Sequence, residues 1–345
     1  VPNQDENSDR IQKIDNIQAA STSPVGISAN RLDGTSAPPS KEGFSRGRPV
    51  ADFPIEFEWQ SGDWELLFDR QTTLIKEDLR RAHADSRIIV YLSCAISSVG
   101  GGHFSTNVDI VGAVERNLMA KWGERFFILN PTKYQMESKE GTGLILQHAE
   151  AIYRETGRKI DLEAMVKKCP PTGGDYMRMW TKIMVEDDYY KGANPVVPNC
   201  GNIIDVIYCI GPADVQEFFL GEAKSLSQAV EIYFARKYTI DSDFRRDFDC
   251  LEPNGICRPL NLDIPVEKDI WRQKRLDFFK YYATKASTNF SLGGHDEWNI
   301  ACLLNEKRRA HTDVYGIANQ IPVYFDGRQV NSGDYMTPTA KGNAL

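Results

Sequence analysis

No stretch of this 345-residue chain approaches the roughly 20 consecutive apolar residues that a bilayer-spanning helix needs, so no membrane partner is expected. An excess of basic charge is missing as well. Lys and Arg number 41 against 48 Asp and Glu, a formal net charge of −7, which argues against a protein that grips long nucleic acid through its phosphates. A small anionic substrate stays open, because a few backbone N–H groups and one or two Arg suffice to hold a phosphate. No CxxC occurs and no His/Cys group has zinc spacing, so no structural metal is expected; no cofactor is expected either. Aromatic residues are nearly absent from positions 1–48, which hold one, Phe44, among Ser, Asn, Asp, Gly and Pro. That composition predicts a flexible, disordered N-terminal arm. No charged-then-apolar leader stands at the start, which is Val1 rather than Met. Location is left open between cytoplasmic and secreted.

Seven cysteines are present, at 94, 169, 200, 209, 250, 257 and 302, so at least one thiol is unpaired. Cys94 and Cys209 sit in apolar strand patterns and read as reduced core residues. Cys250 and Cys257 flank the turn-rich LEPNGI, a loop that a disulfide could close.

What the chain does have is a strand that opens through a glycine turn into a helix. Positions 87–92 (RIIVYL) are β-branched and apolar, 97–102 (SSVGGG) are small, and a helical pattern follows over 106–122. Such a turn presents backbone N–H groups to a phosphate, a carboxylate or a sugar hydroxyl. A second strand is expected at 125–129, helices at 143–156 and 175–186, a third strand at 203–210 and a helix at 225–238. This alternation predicts an α/β fold, a flavodoxin-like or Rossmann-like parallel sheet flanked by helices, with ligands at the carboxyl ends of the strands. The expected division is an arm at 1–48, a nucleoside-binding core at 49–240, and a helical C-terminal extension and tail at 241–345, whose last 30 residues are turn-rich and expected to wrap over the surface.

Three of these elements resemble, in order, the nucleoside 2-deoxyribosyltransferase superfamily, including the 2′-deoxynucleoside 5′-phosphate N-hydrolases. That family's first strand reads aromatic–x–x–x–small–Ile before a paired-glycine loop. Tyr91, Ser93, Cys94, Ala95, Ile96, Gly100, Gly101 and Gly102 are similar. A later family strand reads Ala-Asp-hydrophobic-hydrophobic, and Ile204-Asp205-Val206-Ile207 is similar. The family's catalytic glutamate lies in small–x–x–Glu–hydrophobic–Gly–x–Ala, which Glu231, Ile232 and Ala235 resemble, with Tyr233 at the glycine position. The resemblance covers about 87–238.

It implies cleavage of a nucleoside or nucleotide N-glycosidic bond, or transfer of its base. Glu231 would be nucleophile or stabiliser of the oxocarbenium-like state. Asp175, opening a helix after two glycines, would be the second carboxylate; helix capping is its plainer role. Ser93, Ser97, Gly100, Gly101, Gly102 and His103 would hold the sugar or its 5′ substituent. Asn107, Tyr176 and Arg178 would add polar contacts. A homodimer completing the site is also implied.

Other features stay in view. SLGGHDEWN (291–299) gathers His295, Asp296 and Glu297 after a glycine pair. It reads either as an acid–base site or as a turn with Asp296 capping and Glu297 in the first helical turn. Asp187 and Asp188 are weaker alternatives to Asp175 for the second role and read more plainly as a solvated helix end. Tyr189-Tyr190 and the aromatics at 278–282 fit either base stacking or core. Cys94 is a minor nucleophile candidate. Three alternative functions remain open: cleavage of a dinucleotide such as NAD, a non-catalytic nucleotide-binding or sensing module, and a secreted interaction protein.

Overall fold

The computed structural model describes residues 44–47, 53–94, 96, 102–186, 197–221, 223–251, 258–287, 292–315 and 319–331. A short antiparallel ribbon comes first, β1 (Phe44–Gly47) on β2 (Phe57–Gln60). α1 (Asp63–Ala84) buries Trp64, Leu67, Phe68, Ile75 and Leu79, the spacing of one helical face. β3 (Ile88–Ser93) is buried at every position after the first, as a strand covered on both faces requires. α2 (Phe104–Trp122), ended by Gly123 at φ 84°, leads to β4 (Phe126–Leu129). A 3₁₀ turn (Pro131–Tyr134), α3 (Lys139–Thr156), α4 (Leu162–Lys168) and α5 (Gly173–Val185) precede β5 (Val206–Cys209).

Then come α6 (Pro212–Leu220), α7 (Leu226–Ile240) and α8 (Ser242–Asp249). Two short strands follow, β6 (Cys250–Leu251) and β7 (Arg258–Pro259). α9 (Pro265–Lys285), α10 (Leu292–Ala310) and α11 (Thr312–Tyr315) lead to a closing hairpin, β8 (Val323–Phe325) and β9 (Arg328–Val330).

The central sheet has the order β4-β3-β5-β8-β9. The first four strands are parallel, and β9 returns antiparallel. The return uses Asp326-Gly327 at φ 55° and 78°, a two-residue turn that Asp-Gly favours. The α/β class and the mostly parallel sheet expected from the alternation are present. The boundary expected at 240 does not divide the sheet, because residues 323–330 supply two of its strands instead of wrapping the surface.

Topology decides which helix covers which face. Ile89 and Tyr91 of β3 join a core shared with α1, α3, α5 and α10. Val90 and Leu92 join a second core with α2, α6, α7, α8 and α9. Parallel crossovers are right-handed. The step β3 to β4 runs one way across the sheet and β4 to β5 the other, so α2 and α5 lie on opposite faces. The step from β5 to β8 continues in the second direction. Its last long helix, α10, therefore joins the α5 face, where Ile300, Ala301 and Leu304 are buried.

Close packing fixes the ribbon on that same face. A Cβ at Gly174, in the first turn of α5, would stand 1.9 Å from the Glu58 carbonyl oxygen, so only glycine lets β2 approach there. Cys250 is disulfide-bonded; Cys257, its expected partner, lies outside the described residues. Cys94, Cys169, Cys200, Cys209 and Cys302 are not in disulfides. Among the described residues no helix is long and apolar enough to cross a membrane, and no group of three metal-ligating side chains gathers.

Candidate active site

The glutamate expected to carry the chemistry faces solvent. α7 buries Ala229, Val230, Tyr233 and Phe234, and Glu231, one step of about 100° from Val230, turns outward. Its side chain is 61% exposed, and Oε1 accepts a hydrogen bond from Arg275 Nη2 of α9 at 2.6 Å. An exposed pair of this kind contributes little to stability. Glu231→Gln is expected to leave both thermal midpoint and activity unchanged; a melting curve and a turnover assay check it.

Asp175 is also removed from the candidate site. It is the third residue of α5 and closes a capping box with Thr172. Oδ2 accepts from Thr172 N and Oγ1, both at 2.7 Å, and Oδ1 accepts from Gln60 N at 2.7 Å. Gln60 Nε2 adds a fourth bond at 3.3 Å. The carboxylate staples α5 to β2, which leaves it no free oxygen for a substrate.

Tyr176 and Arg178 are likewise engaged elsewhere. Tyr176 Oη accepts from Met136 N at 3.0 Å, and its ring meets Phe68 edge-on. Arg178 donates to Asp69 and Glu65 of α1 and lies over Trp59. Ser97, Gly100, Gly101, Asp187, Asp188, Tyr189 and Tyr190 lie outside the described residues.

The segment whose plainer reading was a turn and a helix start supplies the buried acid. α10 runs antiparallel to the parallel strands, so its early residues reach their carboxyl ends. Glu297 is 4% exposed there. Tyr91 and Ser93, two apart on β3, point to the same face. Tyr91 Oη donates to Glu297 Oε1 at 2.5 Å, and Ser93 Oγ donates to Oε2. Burial, helped by the Asp296 charge and opposed by these two bonds, pushes the Glu297 carboxyl up to about 7. Burial and the adjacent carboxylate push the Tyr91 phenol well above its ordinary range, so it remains an O–H donor.

Across the strand ends, the other face brings a second polar group. Lys285, the last residue of α9, is 6% exposed. Its Nζ donates to Asn107 Oδ1 at 3.3 Å. Asn107 is fixed further by donating Nδ2–H to the Ile96 carbonyl at 3.1 Å and accepting from Tyr282 Oη at 3.1 Å. Burial pushes the Lys285 amine down to about 8.

Cys94 sits at the end of β3, within electrostatic reach of both Glu297 and Lys285. Burial, then the Glu297 charge, raises its thiol well above the ordinary range, which removes the Cys94 nucleophile reading. His103 caps α2 beside half-buried Gly102. Its ring bonds Asp247 at 2.7 Å and Ser105 at 3.2 Å and packs on Phe244 and Phe248, which pins α2 to α8. The aromatics at 278–282 are core in the same cluster.

Of the expected residues, Ser93 and Asn107 thus flank the carboxyl edge of β3, on opposite faces. Glu231, Asp175, Tyr176 and Arg178 do not join them. Glu297, from the segment that reads either as an acid–base site or as a helix start, stands there with Tyr91; Lys285, to which the sequence assigns no role, lies on the Asn107 face. One signal for Glu297 was present: the pattern applied to Glu231 also fits Gly294, Glu297, Trp298 and Ala301, with a true small residue in its first place and Asn299 at the glycine position. β3 and β5 are neighbours whose connections to β4 and β8 leave in opposite directions, the kind of place where open α/β sheets bind ligands. A surface concavity lined by Asp85, Ser86, Arg87, Ile88, Glu124 and Arg125 lies at the opposite, amino end of β3 and β4. Searches against family models, curated proteins and solved structures return no match for this chain.

Proposed function

We propose that this protein cleaves the N-glycosidic bond of a nucleoside or nucleotide, or transfers its base, at the carboxyl edge of β3 and β5. The sheet is read as flavodoxin-like, with its fifth strand reversed. The observation that carries the function is the buried Glu297 carboxylate held by the Tyr91 and Ser93 hydroxyls.

Breaking a glycosidic C–N bond builds positive charge at the anomeric carbon. A carboxylate taken out of water stabilises that charge strongly, or bonds to the carbon, because little solvent competes. Two hydroxyl donors fix its oxygens and keep part of the population ionised near neutral pH. Water or a second base then resolves the sugar; hydrolysis and transfer share this first half.

Tyr91→Phe removes a donor that favours the ionised form. Its expected effects are a roughly 10- to 100-fold lower turnover at pH 7 and an acid limb shifted to higher pH. A pH–rate profile of the variant checks both. The function itself is tested by chromatography of wild-type reactions with nucleosides, nucleoside monophosphates and NAD. Free base released from a nucleoside or its monophosphate supports the reading. Release from NAD alone favours the dinucleotide alternative, and thermal stabilisation by ligand with no release contradicts an enzyme.

A further inference from the structure

The concavity at the amino end of β3 and β4 lies apart from the candidate active site, which stands at the carboxyl edge of β3. Its volume is about 570 Å³, inside the range of about 300–1,000 Å³ where small-molecule sites fall. Asp85, Ser86, Arg87 and Ile88 line it where α1 passes into β3. Glu124 and Arg125 line it where α2 passes into β4.

The sheet brings the two arginines to neighbouring points of the backbone. Ile88 pairs with Phe126 in the parallel register, and Ile88 N donates to the Arg125 carbonyl at 2.8 Å. Arg87 and Arg125 each stand one position before that pair. Among the described residues neither guanidinium donates a hydrogen bond or enters an ion pair, and the Asp85 and Glu124 carboxylates accept none. Four charges, two of each sign, thus border one hollow without pairing to each other.

Each sign has its own use. A guanidinium is a planar fork of N–H donors matched to a carboxylate, and two of them side by side repel until an anion lies between them. α1 ends at Ala84 and α2 at Trp122, both beside the hollow. A helix carries about half a negative charge at its carboxyl end, so these two ends join Asp85 and Glu124 in favouring a cation. The four side-chain charges sum to zero. A plain anion or a plain cation is drawn by one pair and repelled by the other, whereas a ligand carrying both signs gains from each. Ile88, 37% exposed, adds apolar surface between them.

We infer that this concavity binds a small zwitterion with an aliphatic body, a free amino acid or dipeptide. Its carboxylate lies on Arg87 and Arg125, and its ammonium lies by Asp85 and Glu124. The site makes and breaks no bond, and it does not depend on the glycosidic reading.

The test is calorimetric titration of the full chain with L-leucine and L-leucyl-L-leucine, beside the N-acetyl and C-terminal amide forms of each. The expected result is saturable binding of an unblocked probe, with Kd raised about 10-fold or more by either blocking group. The double variants Arg87→Gln/Arg125→Gln and Asp85→Asn/Glu124→Gln are each expected to raise Kd of the unblocked probe by a similar factor. The four side chains have no partner to lose, so melting temperatures without probe stay at the wild-type value. If a variant melts early, the blocked probes still test both charges on wild-type protein. No binding of either unblocked probe at millimolar concentration overturns the inference. Equal binding of the N-acetyl form means a plain anion site, and equal binding of the amide a plain cation site; either overturns it. Binding that survives both double variants places the ligand elsewhere and overturns it too.

Discussion

Glu297→Gln is expected to be more stable than wild type by a margin that grows with pH, up to about 3 kcal/mol above pH 7, and, on the proposed function, to lose glycosidic turnover by about 10³-fold or more. The sign follows from the raised carboxyl. Below the ordinary glutamate value of 4.5 the group is protonated in both folded and unfolded chains, and its contribution is fully present. Between 4.5 and about 7 the unfolded chain has released its proton while the folded chain holds it, so wild-type stability falls as pH rises. Above about 7 the folded group ionises too, and the loss is complete. Gln has the same shape and no charge, and the Tyr91 and Ser93 hydroxyls can rotate to accept from its amide. The variant therefore loses this slope. Denaturant titrations of both proteins from pH 4 to pH 9 measure it. A variant curve parallel to wild type would mean that Glu297 is not the buried titrating group.

Asp175→Ala is expected to cost about 3–5 kcal/mol, with turnover per folded molecule unchanged. Four hydrogen bonds end on this carboxylate, from Thr172 N and Oγ1 and from Gln60 N and Nε2. Alanine leaves the buried Gln60 N–H without its acceptor, removes the capping box, and unties α5 from β2. Gln60 Nε2 keeps its bond to the Pro170 carbonyl at 2.7 Å, which limits the loss. A domain's whole stability is about 5–15 kcal/mol, so the variant is expected to melt far earlier than wild type. Chemical denaturation gives the cost, and turnover normalised to folded protein separates the roles. A variant of wild-type stability that fails to turn over would return Asp175 to the active site.

The fold was legible where local pattern and burial agree. The β-branched residues of β3, the three-and-four spacing of α2 and the Asn130-Pro131 stop after β4 each depend on a few neighbouring residues, and each lies where the pattern placed it. β8 and β9 were not legible. Three-residue strands carry no measurable alternation, and only the parallel pairing of Ile207, Tyr208 and Cys209 with Val323, Tyr324 and Phe325 makes the first of them part of the sheet.

The site failed to read for a related reason. Between β5 and α10 the chain inserts α6 to α9, so the first glutamate after β5 in a fitting pattern is Glu231, on the wrong face of the wrong helix. A hydrogen bond between Tyr91 and Glu297 spans 206 positions. Nothing in a local window reports it, whereas the right-handed crossover that sets α10 against the α5 face does. Asp175 misled through composition: an acid after two glycines suits a pocket and a capping box equally, and the Gln60 amide that decides between them is 115 residues away.

The most direct test of the account places Glu297→Gln and Glu231→Gln side by side in one chromatographic assay for free base, using nucleosides and their monophosphates. The account predicts release by wild type and by Glu231→Gln at the same rate, and none above background by Glu297→Gln. Release by Glu297→Gln at the wild-type rate, or its loss in Glu231→Gln alone, would contradict a site built on the carboxyl edge of β3.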